Sequence, residues 1–290
     1  MKPPPFAYAR PATLDEALDM IIEGGDEAKF LAGGQSLLPL LSYRLARPTH
    51  LVDIGRLPGL DRIDRTGGGL ALGGLVRHAQ LEGAAELAGP WRAIREAAAQ
   101  IGHLPIRERG TIGGSIAHAD PSAELPVVAT ALDAAFVLRS AAGTRTVPAA
   151  GFFTGPFMTV IEPAEALVSI DFPTPPLGLR SAFEEFTARS GDFALASAAV
   201  AIATGEDGIV RQVRIVLGSV GPLPLRALDA EASLDGVALT PEAAKLAARV
   251  AAAETHPGED AFAGPEFRRE LVETVVVRAL TRLMDQGGRP

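Results

Sequence analysis

The run Thr111-Ile112-Gly113-Gly114-Ser115-Ile116-Ala117-His118-Ala119-Asp120-Pro121 is the most informative in the chain. Two adjacent glycines between hydroxyl residues let the backbone reach positive φ, and a ligand can approach with no Cβ in the way. Successive exposed N–H groups in such a turn form a concave anion site, to which Thr111 and Ser115 add hydroxyls. An earlier stretch, Ala32-Gly33-Gly34-Gln35-Ser36-Leu37-Leu38-Pro39, has the same character. Neither contains the G-x-x-x-x-G-K-S/T or G-x-G-x-x-G phosphate signature. Neither carries a lysine or arginine, so amides and hydroxyls would make most direct contacts to a diphosphate. Arg107 and Arg109, just upstream of the second run, either add a positive field or are solvated surface residues. A glycine pair alone is weak evidence, since Gly24-Gly25 and Gly73-Gly74 also occur.

Working outward, Thr13 and Glu16 form a T-x-x-E capping box, and Leu14, Leu18, Ile21 and Ile22 follow on one helical face until Gly24-Gly25. Short strands are predicted over residues 28–32, 51–54 and 70–76, and a helix opens at Pro90 and closes at Gly102. Asp120-Pro121 reads as an N-cap with proline at the first helical position, starting a helix to about Leu132. A hairpin over residues 135–147 and a strand through Val168, Ile170 and Phe172 precede the best linker, residues 173–178. Strands at 182–187, 193–203 and 210–217 come next, then helices from Thr240-Pro241 and Pro265. Strands followed by helices indicate an α+β C-terminal domain. The expected division is 1–56, 57–177 and 178–290, the first two being small α/β subdomains.

With 290 residues, 47% of them hydrophobic, the chain can bury a substantial core. A net charge of −8 without a basic run excludes a nucleic-acid footprint. No cysteine is present, which removes a thiol nucleophile, thiolate-held zinc and the ligands of an iron–sulfur cluster. No stretch is apolar for long enough to span a bilayer, and Met1–Pro5 lacks a signal-peptide core, so a cytoplasmic protein is expected.

The two glycine runs resemble the FAD-binding motifs A-G-G-x-S-L-L-P and T-I-G-G-N/S-x-A-H-A-D-P of the flavin (medium) subunits of molybdenum hydroxylases, the carbon monoxide dehydrogenase and xanthine dehydrogenase group. The likeness extends to Pro5-Phe6-Ala7-Tyr8, Ser190-Gly191-Asp192-Phe193-Ala194 and Phe267-Arg268-Arg269-Glu270-Leu271, and so covers essentially the whole chain. It implies a two-subdomain FAD-binding module of the vanillyl-alcohol-oxidase (PCMH) type followed by a C-terminal α+β domain. FAD would contact Ala32, Gly33, Gly34, Gln35, Ser36, Leu37, Ile101, Thr111, Ile112, Gly113, Gly114, Ser115 and Ala117. Asp120 and Glu124 would lie near the nucleotide, Asp120 with a rival role as a helix cap, and Phe193 near the isoalloxazine or in the core. Where the family has F/Y-x-K-x-x-x-R, this chain reads Phe183-Glu184-Glu185-Phe186-Thr187-Ala188-Arg189, with Glu185 at the lysine position. Arg189 is either a ligand contact or an ion-pair partner.

The resemblance further implies an electron-transfer subunit beside a large molybdenum-cofactor subunit and a small 2Fe–2S subunit, assembled as a dimer of heterotrimers. A free-standing FAD-dependent oxidase or reductase is the alternative, and a binding protein that has lost its cofactor a third reading. The five histidines lack metal-ligand spacing, and there is no G-x-S-x-G elbow. His118 is expected to stabilise its loop by a hydrogen bond and Trp91 to serve in packing. Glu184 and Glu185, neighbours in a strand, should point to opposite faces.

Overall fold

Thr13 opens the first helix as expected. In the computed structural model, which describes residues 2–287, α1 spans Leu14–Gly24. Thr13 Oγ1 accepts from Glu16 N at 3.2 Å, while Glu16 Oε2 accepts from Ala12 N at 2.7 Å, one residue ahead of the N-cap. Ala17, Leu18 and Ile21 are its buried face. They cover a parallel sheet of β1 (Ala7–Ala9), β2 (Ala28–Leu31) and β3 (His50–Asp53), in the order β1-β3-β2. The short α2 (Leu37–Ser42) connects β2 to β3.

A second sheet is antiparallel, ordered β4-β5-β10-β6-β7. Its strands are β4 (Ile63–Thr66), β5 (Gly69–Gly73), the predicted hairpin of β6 (Ala135–Ser140) and β7 (Gly143–Pro148), and β10 (Ala166–Phe172). A small hairpin, β8 (Phe153–Gly155) and β9 (Met158–Thr159), precedes β10. Between β5 and β6 run α3 (His78–Gly83), α4 (Arg92–Gln100), α5 (Leu104–Arg107), α6 (Ile112–His118) and α7 (Glu124–Ala131). The predicted strand at 70–76 thus ends at Gly73, and the helix expected from Pro121 starts only at Glu124. Pro121 is held in a turn instead: its carbonyl accepts from Ser219 N at 3.1 Å, a bond from the C-terminal part of the chain. Trp91 packs in the core at 3% exposure, with the Arg65 guanidinium 4.2 Å over its ring.

After residues 173–178 comes a four-stranded antiparallel sheet, β11 (Leu179–Thr187), β12 (Ala194–Thr204), β13 (Val210–Gly218) and β14 (Leu225–Arg226). Successive residues of a strand point to opposite faces, and β12 uses both. Ala199 and Ala201 join the core built on α4, α7 and the second sheet. Ala196, Ala198, Val200 and Ile202 join a separate core against α8 (Leu228–Leu234), α9 (Pro241–Ala253) and α10 (Pro265–Gly287). A strand buried on both faces has no polar side, which explains the alanine-rich run. A mixed helix-and-sheet region is followed by strands and then helices at the C-terminus, giving the expected α+β architecture. No helix among the described residues is long and apolar enough to cross a membrane.

Candidate cofactor site

The two glycine segments meet. A Cβ built on Gly33 would lie 2.3 Å from the Arg109 carbonyl oxygen and 2.8 Å from Gly110 Cα, so only glycine permits this backbone approach. Arg77 ties the same place together: its guanidinium donates to the carbonyl of Gly55, after β3, at 2.8 Å, and to that of Arg109. Arg77 also forms an isolated antiparallel bridge with Thr111. The first segment needs glycine a second time, because Gly34 has φ +74°.

Their hydrogen-bonding states differ. Among the described residues no acceptor pairs with the N–H groups of Gly34, Gln35, Ser36 and Leu37, which lie one after another at the start of α2. Buried N–H groups are almost always paired, but here only Gly33 is buried and Ser36 is exposed, so the row is open to a ligand. The second segment is not the open loop expected from its glycines. Thr111 is the N-cap of α6, its Oγ1 accepting from Gly114 N at 3.0 Å. Ile112 N donates to Val76 O (3.0 Å), Gly113 N to Gly74 O (2.9 Å) and Ser115 N to Thr111 O (3.0 Å). These amides are spent on the fold. Gly113 is required because a Cβ would stand 2.5 Å from Gly74 O. On α6 the half-buried Ser115 hydroxyl has no partner among the described residues, and Ala117, two residues on, is exposed.

Next to Ala32 and Gly33 opens a crevice of about 420 Å³ lined by Arg10, Arg56, Arg77 and Arg109, with Asp53 and Glu108 as its only carboxylates. Tyr8 OH donates to Asp53, which raises the phenol pKa above its usual value. Arg10, Arg56 and Arg109 form no ion pair among the described residues. Burial, then the neighbouring Arg109, draws the Arg77 pKa down. Arg109 therefore contributes positive field beside the first segment. Arg107 does not: it pairs with Glu82 at 2.8 Å and caps the carbonyls of Ile101 (3.3 Å) and Gly102 (3.1 Å). The sequence reading missed Arg77, Arg10 and Arg56, since an arginine's distant partners leave no local signal.

Beyond α6 lie the acidic candidates. Asp120 Oδ1 accepts from Ser122 N at 2.9 Å, an Asx turn rather than the cap of α7, whose N-cap is Ala123. Glu124, only 7% exposed, is pushed up to about 8 by burial and then by the charge of Glu185. Burial pushes Glu185 up to about 7, and its Oε2 is buried without a partner. Glu184, on the opposite face as expected, pairs with Arg282 of α10. Phe193 precedes β12 and is 67% exposed, which removes its core reading. Its loop rests on the α4–α5 connection, since a Cβ on Gly191 would lie 2.5 Å from the His103 ring. Ile101, at 9% exposure, is in that connection. Arg189 is exposed and forms no ion pair among the described residues. His118 stacks on Phe157 (ring centroids 5.2 Å apart, 47°) in place of the expected hydrogen bond.

Comparison with known proteins gives the same picture from outside. The family described as "FAD binding domain in molybdopterin dehydrogenase" matches residues 4–175, and "CO dehydrogenase flavoprotein C-terminal domain" matches 181–283. The alpha subunit of the 6-hydroxypseudooxynicotine dehydrogenase complex of Paenarthrobacter nicotinovorans is 39% identical over 99% of this chain and 97% of its own length. The carbon monoxide dehydrogenase medium chain of Hydrogenophaga pseudoflava is 38% identical over 97% of each. A carbon monoxide dehydrogenase structure from H. pseudoflava superposes with TM-score 0.93 at 39% identity, covering 98% of this chain and 99% of that one. Quinoline 2-oxidoreductase of Pseudomonas putida 86 also gives 0.93, at 33% identity and full coverage of both chains.

Proposed function

Because the chain belongs to the FAD-binding medium subunits of the molybdenum hydroxylases, the group that includes carbon monoxide dehydrogenase, we propose that it carries electrons from the iron–sulfur clusters of a small partner subunit to an external acceptor. A large partner subunit would oxidise the substrate at a molybdenum cofactor and set substrate choice. The complex would work in the cytoplasm, which cell fractionation tests. The proposed division of labour remains two FAD-binding subdomains, residues 1–56 and 57–177, and a C-terminal domain, 178–290.

FAD is the cofactor, and the residues fit it. The observation that carries the assignment is the open row of N–H groups from Gly34 to Leu37, pressed by Gly33 against the segment that leads into α6. In our assignment these amides and the Ser36 and Ser115 hydroxyls hold the diphosphate, and the arginine crevice supplies the countercharge that the glycine segments lack. Thr111, Ile112, Gly113 and Gly114 set the position of α6 rather than donate to the ligand, Thr111 through its capping hydroxyl and the other three through amides already engaged. In the same assignment Ile101 and Phe193 lie beside the ring system, and Asp120, Glu124 and Glu185 form an acidic end of the site. When bound, FAD supplies the capacity to take up two electrons and release them. The protein binds, orients and tunes it; no side chain need attack the substrate. Purified alone, the full chain is expected to hold one FAD and neither iron nor molybdenum. A folded sample that never takes up flavin refutes the reading, and co-purification with the large and small subunits tests the partners.

A further inference from the structure

The sheet turns one of the two acids, Glu185, toward the helix that begins with the other, Glu124. On β11, Glu185 pairs across to Ser197 of β12, and residues opposite one another in an antiparallel pair share a face. That face is turned toward α7: a Cβ on Gly218, the partner of Ser197 on β13, would lie 2.5 Å from Ser197 Oγ and 2.6 Å from Val127 of α7. Glu124 begins α7. Glu124 is buried at 7% exposure, and the hydrogen bond its carboxyl accepts comes from its own backbone N–H. Glu185 Oε2 is buried without a partner.

The charged groups on the surrounding elements are committed elsewhere. On α4, Glu96 is held by Arg92 and Arg282 and accepts from Phe183 N at 2.9 Å. On β11, Glu184 faces α10 and Arg282, and Arg180 binds the Leu283 carbonyl. On β13, Arg211 and Arg214 pair with Asp207 and Asp133. His118 of α6 stacks on Phe157, Asp120 has the same sign as the pair, and Arg189, two residues past β11, is exposed and reaches neither carboxyl. No lysine or arginine reaches either carboxyl among the described residues. With Glu124 buried, Glu185 half-buried and no cation at either, the two carboxylates resist being ionised together.

We propose that Glu124 and Glu185 are not ionised together, and that a carboxyl kept neutral in this pair donates a hydrogen bond to the FAD bound in the cleft. The upward pKa shifts of both groups agree with this. They are positioning residues: they shape one wall of the site and its charge, and they couple cofactor binding to a proton. The inference rests on the FAD assignment but is tested apart from it.

The test is FAD titration of the FAD-stripped full chain between pH 6 and 9, by quenching of flavin fluorescence. A ligand that takes its hydrogen bond from the protonated pair binds at constant strength while the proton is present. Above about pH 8 its affinity falls by about tenfold per pH unit. E124Q and E185Q, whose amides donate at every pH, are expected to flatten the profile. A second readout needs neither FAD nor variants: the infrared band of a protonated carboxyl should be present in the stripped chain at pH 6 and lost at pH 9. FAD bound with a pH-independent affinity, the wild-type slope persisting in both variants, or no such band at pH 6 would each overturn the proposal. A folded chain that shows the band yet never binds FAD would instead refute the cofactor assignment and leave the neutral carboxyl standing.

Discussion

Gly33→Ala tests the junction of the two glycine segments directly. The added Cβ would meet the Arg109 carbonyl oxygen at 2.3 Å, whereas real Cβ atoms essentially never come within 3.0 Å of another heavy atom, so the two backbones must part by at least 0.7 Å. Neither contact is the end of a flexible side chain. Overpacking of this kind costs about 1–3 kcal/mol. The same displacement shifts the Gly34–Leu37 amides relative to α6 and the arginine crevice. Hydrogen bonds to an ionised group contribute about 1.5–3 kcal/mol each, so losing one or two weakens FAD by about 10- to 1,000-fold or more. Urea unfolding of the stripped chain measures the first quantity and fluorescence titration the second. The expected result is a lower midpoint together with a much weaker affinity. An alanine variant that binds FAD as tightly as wild type would show that the two segments do not form a single site.

Gly113→Ala should behave similarly, because its Cβ would stand 2.5 Å from Gly74 O. Gly114→Ala should be far milder, since its Cβ meets only the Thr111 hydroxyl at 2.8 Å; thermal unfolding of the pair checks the contrast. Arg77→Met removes the two carbonyl bonds that join Gly55 to Arg109, and should cost about 2–3 kcal/mol in denaturant unfolding and weaken FAD. The stability of the stripped chain should also fall with rising pH. Glu124 and Glu185 titrate at about 8 and about 7 when folded, against 4.5 when unfolded. The folded state therefore binds more protons between those values. The stabilising share is full below pH 4.5 and is lost as pH rises through the folded pKa values, at a slope of up to about 1.4 kcal/mol per unit for each group. E124Q should reduce the slope measured by urea unfolding at pH 5, 6.5 and 8; an unchanged slope would contradict the burial of this carboxyl.

What was legible in the chain was local. Thr13, the β6–β7 turn and the proline-rich break at 173–178 each announce themselves within a few residues, and each lies where it was read. The motifs at 32–39 and 111–121 located the site, but not the conformation of its second half. Glycine disfavours a helix interior by about 1 kcal/mol, so Gly113-Gly114 reads as a loop. In the fold α6 is held by bonds to Val76 and Gly74, which come from the end of a distant strand. Asp120-Pro121 carries a helix-start signal that is overridden in the same way, by the Asx turn to Ser122 and the bond from Ser219. The Arg77 staple and the Glu124–Glu185 pair depend on contacts between residues far apart in the chain, for which neither composition nor periodicity has a term.

The way β12 is shared bears on how the site works. Domains joined by small polar interfaces are expected to move against each other. Here one strand contributes Ala199 and Ala201 to one core and its alternate residues to another, so the C-terminal sheet is packed as a layer of the FAD-binding module as much as of its own domain. Polar ties reinforce the seam: Ser181 bridges Pro90 O (2.7 Å) and Ala93 N (3.0 Å), and Arg282 joins Glu184 on β11 to Glu96 on α4. Sliding β11 past α4 would strip hydrogen bonds from partly buried charges, at about 1.5–3 kcal/mol apiece. The wall that carries Glu185 and leads to Phe193 is therefore fixed relative to α7 and Glu124. A wall fixed in this way suits the electron-carrying role proposed above, since on that reading the electron exchanges would not have to wait for the domains to close.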